Sequence, residues 1–229
     1  MGIDFAGLTS AHMADACIRA GVAVRCVSLR PVVPGTRVSG RVLPARHAGS
    51  VDIFLEAIEV HAVPGDVLVV DNGGRLDEAC VGDLIALEAR AAGLNGIVIW
   101  GLHRDTADIK SIGLPVFSLG SIPAGPRSLG DRTDDALQLA KMGEWTVTRA
   151  DIVVADDDGV LFIPSDVARD IVALADEIRD TEHRQAERIR SGTPLRSQLQ
   201  FPAYLAARAQ DPAFTFRTHL RSISAAIEE

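Results

Sequence analysis

Val67-Leu68-Val69-Val70-Asp71-Asn72-Gly73-Gly74 is the stretch that decides the fold. Four consecutive apolar residues suit a strand buried on both faces, as in a parallel sheet covered by helices. The run follows the sharp turn Pro64-Gly65-Asp66 and ends in a polar, glycine-rich loop where backbone can approach a ligand closely. The pattern then repeats. Gly82 opens a helix over about residues 83–92, stopped by Gly93, and Gly96-Ile97-Val98-Ile99-Trp100 is a second buried strand. The loop Gly101-Leu102-His103-Arg104-Asp105, a short helix near residues 106–111 and the strand Pro115-Val116-Phe117 follow. Strand, helix, strand, helix, strand over residues 67–117 predicts an α/β layout.

Working outward, Thr9 or Ser10 caps a helix that runs to Ala20, with Gly21 as its stop. Strands are expected at residues 22–27 and 36–44, separated by the turn residues Pro31, Pro34 and Gly35, and a short helix at 53–61. In the C-terminal half, residues 145–147, 152–154 and 160–163 read as strands, the last two joined by the hairpin-like turn Asp156-Asp157-Asp158-Gly159. An amphipathic helix spans 166–190, with Val167, Ile171, Leu174 and Ile178 on one face, and Ser191-Gly192-Thr193-Pro194 ends it. Residues 195–229 carry Phe201, Tyr204, Phe214 and Phe216, half of the chain's eight Phe and Tyr residues, so this extension is expected to pack on the body or on a neighbouring subunit. The domain division is 1–194 and 195–229.

Composition narrows the function. The chain has 229 residues, 47% hydrophobic and 24% charged, which is enough for a substantial core. A net charge of −8 repels a phosphate backbone and argues against generic nucleic-acid binding. Lys110 and Lys141 are the only lysines, so Arg supplies the cations, and Arg favours planar bidentate contacts with carboxylates. Cys17, Cys26 and Cys80 form no CxxC and read as small buried hydrophobes in a reducing compartment. Residues 1–5 lack a basic, apolar leader, and no window approaches the roughly 18 apolar residues of a membrane span. A cytoplasmic location is expected.

Ligands in α/β sheets gather at the carboxyl ends of strands. The loops after Val70 and Trp100 lie at such ends and are expected to bring Asp71, Asn72, Gly73, Gly74, Arg104 and Asp105 towards one region. Gly82-Asp83 adds a helix N-terminus, whose free N–H groups and dipole attract an anion such as a carboxylate. Adjacent residues point apart, so Arg104 can grip a carboxylate or an enolate while Asp105 binds a hard cation such as magnesium. From spacing alone a capping Asp beside a surface Arg is the commoner arrangement, because Arg-Asp pairs are frequent. Asp156-Asp157-Asp158-Gly159 lacks the alternating ligands of a calcium loop and reads as a solvated turn. The six histidines show no metal-ligand spacing, although His103 adjoins the site loop. GxSxG, P-loop and GxGxxG motifs are absent.

Gly65-Asp66-Val67-Leu68-Val69-Val70-Asp71, Gly73-Gly74, Gly82-Asp83-Leu84-Ile85, Gly93, Gly96, Gly101 to Arg104-Asp105, and Val153-Val154-Ala155-Asp156 with Asp158-Gly159-Val160 together resemble the family of 4-hydroxy-4-methyl-2-oxoglutarate aldolases and regulators of ribonuclease activity A, over roughly residues 8–190. The resemblance implies a swivelling β/β/α domain, here with a C-terminal helical extension, assembled as a homotrimer or homohexamer with sites between subunits. It implies Asp105 as the magnesium ligand (or that of manganese or another divalent cation), Arg104 as the substrate-binding and catalytic arginine, and Asp83 as a second catalytic acid. Gly82 and the amides of Leu84 and Ile85 would hold a pyruvate carboxylate. Trp100 and His103 depart from the pattern by their bulk. A neighbouring subunit's acid is expected near the metal, with Glu182 the candidate.

The resulting expectation is a divalent-metal-dependent class II lyase. It would cleave 4-hydroxy-2-oxo acids to pyruvate and a second 2-oxo acid, decarboxylate oxaloacetate, or both. Its partner is a small 2-oxo acid, with neither nucleic acid nor membrane involved. The alternative is a non-catalytic, protein-binding regulator of an RNA-processing enzyme. A methyltransferase is set aside for want of a glycine-rich cofactor loop.

Overall fold

The computed structural model describes residues 5, 7–127 and 129–223. In chain order the elements begin with α1 (Ser10–Ala20), β1 (Arg25–Val27), β2 (Arg30–Pro31), β3 (Val38–Arg46), α2 (Asp52–His61), β4 (Val67–Asp71) and β5 (Ala79–Val81). There follow α3 (Asp83–Ala91), β6 (Gly96–Trp100), β7 (Leu102–His103), α4 (Thr106–Ile112), β8 (Val116–Ser118) and β9 (Gly120–Ser121). The chain continues with β10 (Leu139–Met142), β11 (Trp145–Thr148), β12 (Asp151–Asp156), β13 (Gly159–Pro164) and α5 (Ala168–Arg190). The extension forms α6 (Leu195–Gln198), α7 (Phe201–Gln210) and α8 (Phe216–Ser222).

An eight-stranded sheet runs in the order β1-β13-β12-β3-β4-β6-β8-β2. Its centre, β3-β4-β6-β8, is parallel, and its two flanks are antiparallel. Strand β3 joins the halves. Val38 to Arg41 pair antiparallel with β12, and Val42 to Arg46 pair parallel with β4. At the changeover a Cβ on Gly40 would overlap the Gly65 carbonyl oxygen and stand 3.0 Å from Val67 Cγ2, so the crossing needs glycine. Arg41 closes the same corner with a two-pronged grip on Asp66, at 3.0 and 2.8 Å.

The apolar run behaves as its composition predicts. Leu68 and Val70 face the core under α2 and α3, while Val67 and Val69 face a second core against β10 and β11. Ile97 and Ile99 join the first core and Val98 the second. A third core lies between β13 and the pair α1, α5, around Met13, Cys17, Leu161, Ile163 and Ile171. Each such side chain contributes about 1.5–3 kcal/mol by leaving water.

Helix α1 starts at Thr9 in a capping box with His12 and stops at Gly21, whose φ of 68° suits glycine. Its first residue docks on the acidic turn. Ser10 N and Oγ donate to the two oxygens of Asp156 at 2.7 and 2.6 Å, and Asp158 N adds a third bond at 3.1 Å. The turn is therefore a helix-docking device rather than a solvated loop, and Asp157 likewise receives the Gly35 amide at 2.9 Å.

Several expectations change. Cys17 and Cys80 are buried, but Cys26 is exposed on the edge strand β1, and all three are free. The strands β2, β5, β7, β9 and β10 were not foreseen, Pro31 reading as a turn residue, and β1 covers only the end of the expected 22–27 strand. The extension builds its own aromatic cluster, with Tyr204 packing on Phe201, Phe214 and Phe216 around buried His219, whose Nε2 donates to Leu199 O at 2.8 Å. Gln198 Nε2 ties it to Gln185 O near the end of α5 at 3.1 Å.

Burial pushes the Asp156 carboxyl up, but the bonds from Ser10 and Asp158 outweigh it and hold the group below its ordinary value. A depressed carboxylate stabilises the fold above its unfolded pKa, and that contribution is lost as pH falls through the folded value. Asp156→Ala should therefore cost on the order of 2 kcal/mol at pH 7, and less at a pH below the ordinary carboxylate value of 3.8. Urea unfolding at both pH values checks this, and an equal difference at both would contradict it.

Candidate active site

Strands β5, β7 and β9 form a small parallel sheet beyond the carboxyl ends of the main one, with Val81 opposite His103 and His103 opposite Ser121. Arg104 N donates to Val81 O at 2.9 Å, which sets the β7–α4 junction against the β5–α3 junction. Gly82, Asp83, Leu84 and Ile85 are thereby brought beside Arg104 and Asp105.

Helix α3 has Gly82 as its N-cap and no side-chain cap, so its first-turn N–H groups are left for solvent or a ligand. Leu84 is 73% exposed at this end, while Ile85 is buried. Asp83 makes no hydrogen bond or ion pair among the described residues.

Asp105 occupies the N-cap of α4 in a left-handed conformation, φ 57° and ψ 41°, without a side-chain cap bond. Its backbone carbonyl accepts from Asp108 and Ile109, but its carboxylate turns away from the helix it begins. Oδ2 lies over Gly82, where any Cβ would collide with it, and 3.3 Å from Arg104 Nε. The capping-Asp reading is thus excluded. The expectation that the two side chains diverge is also corrected, because the positive φ turns Asp105 back towards Arg104. Such a conformation costs a non-glycine residue of order 1 kcal/mol. Both groups stay accessible, at 47% for the Arg104 side chain and 36% for that of Asp105.

Gly125 is a residue the sequence did not flag. Its backbone lies against the Arg104 guanidinium, and a Cβ there would stand 2.5 Å from Nη1. The only local signal was the run Pro123-Ala124-Gly125-Pro126.

The loop after β4 does not join this group. Asp71 is buried and accepts from Gly73 N at 2.9 Å, Lys141 N at 3.0 Å and Arg46 Nε at 3.2 Å. Asn72 Oδ1 bonds His47 Nδ1 at 2.9 Å beside a separate cavity of about 500 Å³. The bulk of Trp100 is accommodated by Gly74, where a Cβ would stand 2.8 Å from its Nε1. His103 is buried, with Nδ1 2.8 Å from Ser118 Oγ and Nε2 3.0 Å from Thr106 Oγ1, and burial lowers its pKa. It anchors the loop and does not face the site. Glu182 pairs with His12 of its own chain at 3.2 Å. A larger cavity, about 720 Å³, lies against α2 and shares no residue with the Arg104–Asp105 group. Residue chemistry, not cavity size, marks the site.

Among the described residues no three His, Cys, Asp or Glu side chains converge as a metal cage. One accessible, uncapped carboxylate with a second acid nearby fits instead a hard cation that keeps most of its waters.

A largely parallel central sheet, with an uncapped helix terminus beside an accessible arginine and aspartate, defines a mixed α/β domain. The chain belongs to the RraA-like Aldolase/RraA family, whose model matches residues 10–162. It is 30% identical over 195 residues to protein DlpA of Legionella pneumophila, covering 81% of this chain but only 31% of that protein. Among solved structures, a Pseudomonas syringae pv. tomato protein superposes with a TM-score of 0.71 at 26% identity, covering 83% of this chain and 92% of that one. Streptomyces coelicolor RraAS2, described as an unusual member of the RNase ES inhibitor RraA family, gives a TM-score of 0.65 at 26% identity, with coverages of 81% and 92%. The swivelling α/β fold is thus that of the family. No helix among the described residues is long and apolar enough to cross a membrane.

Gly82→Ala and Gly125→Ala should fold, because the new methyl meets movable side-chain ends. Each should nevertheless displace the Arg104–Asp105 pair. Crystal structures of the variants check this, and an unmoved pair in either would contradict it.

Proposed function

We propose that the protein is a divalent-metal-dependent lyase for small 2-oxo acids. It cleaves 4-hydroxy-2-oxo acids of the 4-hydroxy-4-methyl-2-oxoglutarate type to pyruvate and a second 2-oxo acid, decarboxylates oxaloacetate, or does both. The observation that carries this reading is the left-handed, uncapped Asp105, held with Arg104 against the open N-terminus of α3. Membership of a family described as Aldolase/RraA supports it.

In this reading the amides of Leu84 and Ile85 bind the carboxylate of the pyruvoyl half, aided by the helix dipole. Arg104, with Nε towards Asp105, offers its outer N–H groups to the C2 oxygen. Asp105 holds the cation, with magnesium or manganese the expected kind, and Asp83 stands on the same side of the site. When bound, the ion supplies Lewis-acid withdrawal of charge from the 2-oxo carboxylate. In aldol cleavage the C4 hydroxyl proton passes to Asp83, directly or through a water. The C3–C4 bond then breaks, its electron pair enters the pyruvate enolate, and the second 2-oxo acid departs. In oxaloacetate the same bond breaks with loss of carbon dioxide. Arg104 stabilises the enolate oxygen in both reactions until C3 takes a proton, from Asp83 after aldol cleavage and from water after decarboxylation.

The likeness to RraAS2 favours a second reading, a regulator that binds an RNA-processing enzyme without using the pair. The net charge of −8 argues against direct nucleic-acid contact in either case. A homotrimer or homohexamer is proposed on the apolar side chains Leu55, Leu84 and Leu87, exposed by 45%, 73% and 47%. A monomer in light scattering would refute that assembly.

Oxaloacetate decarboxylation with and without EDTA is the primary test, and full turnover after verified metal removal refutes the reading. Arg104→Lys keeps the charge but loses the planar fork, and should lower turnover on the order of 10² to 10³-fold. Asp105→Asn should raise the magnesium concentration needed for half-maximal rate, with excess magnesium restoring part of it. Normal turnover in a folded Arg104→Lys protein, or an unchanged metal requirement in Asp105→Asn, overturns the assignment.

A further inference from the structure

The cavity of about 720 Å³ against α2 is lined by Glu56, His61, Arg132, Thr133, Thr148 and Arg149, with Asp134 at its rim. Most polar groups there are committed. Glu56 is held by Arg132 Nη1 at 2.6 Å. Thr133 Oγ1 is 2.6 Å from Asp135 Oδ1. Three donors are not committed. Arg149 Nε is buried without a hydrogen-bond partner, and among the described residues its guanidinium faces no carboxylate within ion-pair distance. His61, at the C-terminal end of α2, makes no hydrogen bond among the described residues. Thr148 Oγ1 accepts from Ala150 N at 3.2 Å, which leaves its hydroxyl proton free.

A guanidinium on the wall of a water-accessible cavity, with no carboxylate partner among the described residues, is a cation that an anion can pair with. The acids on these walls do not pair with it, because Glu56 is taken and Asp134 is exposed. Arg binds carboxylate and phosphate oxygens through parallel N–H bonds, and a neighbouring hydroxyl and imidazole complete such a cradle. We propose that this cavity is a second small-molecule site, which holds an oxyanion, a carboxylate or phosphate group, on Arg149 with Thr148 and His61 as the other donors. The site is distinct from the Arg104–Asp105 pair and independent of the lyase reading.

The charged groups facing His61 are Arg149, Arg132, Glu56 and Asp134. Burial and then the Arg149 charge hold its pKa below the ordinary value, and Glu56 opposes them only in part. An oxyanion between His61 and Arg149 reverses the balance. The test is a side-chain NMR titration of His61 in the full-length protein, assigned with His61→Gln, in the presence of inorganic phosphate or of succinate. Saturable binding should raise the His61 pKa by about one unit. A response to phosphate alone identifies a phosphate site, and a response to succinate alone a carboxylate site; either supports the proposal. Arg149→Gln should weaken the response on the order of tenfold or more. If that variant melts early, Arg149→Lys, which keeps the charge without the fork, should weaken it less. Arg104→Lys should leave it unchanged. No His61 response to either probe, a full response in folded Arg149→Gln, or loss of the response in Arg104→Lys overturns the proposal.

Discussion

The hydrogen bond from Arg104 N to Val81 O, 2.9 Å long, governs the geometry on which the site depends. It registers β7 beside β5, and through them sets the start of α4 against the start of α3. Without that register Gly82 would not lie under Asp105, and the helix dipole of α3 would face no side chain. The register rests in turn on the larger sheet, because β5 and β7 continue from strands whose positions β3, β4 and β6 dictate. Strand β3 bonds both halves of that sheet, and Gly40 lets the halves cross.

Acids near the sheet's carboxyl ends divide by what they already hold. Asp71 accepts three bonds. Buried Glu78 receives Arg127 N at 3.2 Å and stands 2.8 Å from Arg75. Their charge is spent on holding loops in place. Asp105 has one 3.3 Å contact with an exposed arginine, an interaction of little worth in water. That weakness leaves both members of the pair free for a ligand, since neither must break a strong bond to take one.

This division explains what was legible in the sequence. Continuous apolar runs named β4 and β6, because burial on both faces leaves no polar position to confuse them. Thr9 or Ser10 and Gly21 marked the ends of α1 to within a residue, because caps act locally. Strands of two or three residues, such as β7 and β9, carry no period to read. Asp71 and Arg104 both follow strand-like runs, so the sequence could not tell the spent acid's loop from the open one. The turn of Asp105 was hidden for another reason. Positive φ in an Asp is set by neighbours, here the β5–β7 register, and leaves no trace in composition. The role of Asp156 was equally hidden, since its partner Ser10 lies 146 residues away.

Fold alone does not choose between a lyase and a binding protein. The proposed lyase reading draws on local energetics. A glycine at position 105 would relieve the left-handed strain, and an Asp that capped α4 would gain a hydrogen bond. Asp105 has neither benefit. It keeps an exposed charge in a strained conformation, over a glycine whose missing side chain makes room for it. A carboxylate at the rim of a protein-binding surface can take a relaxed conformation and does not require this one. A site that must hold a cation and an arginine at fixed positions beside an open helix terminus needs the strain, since relaxation would rotate the carboxylate away from both.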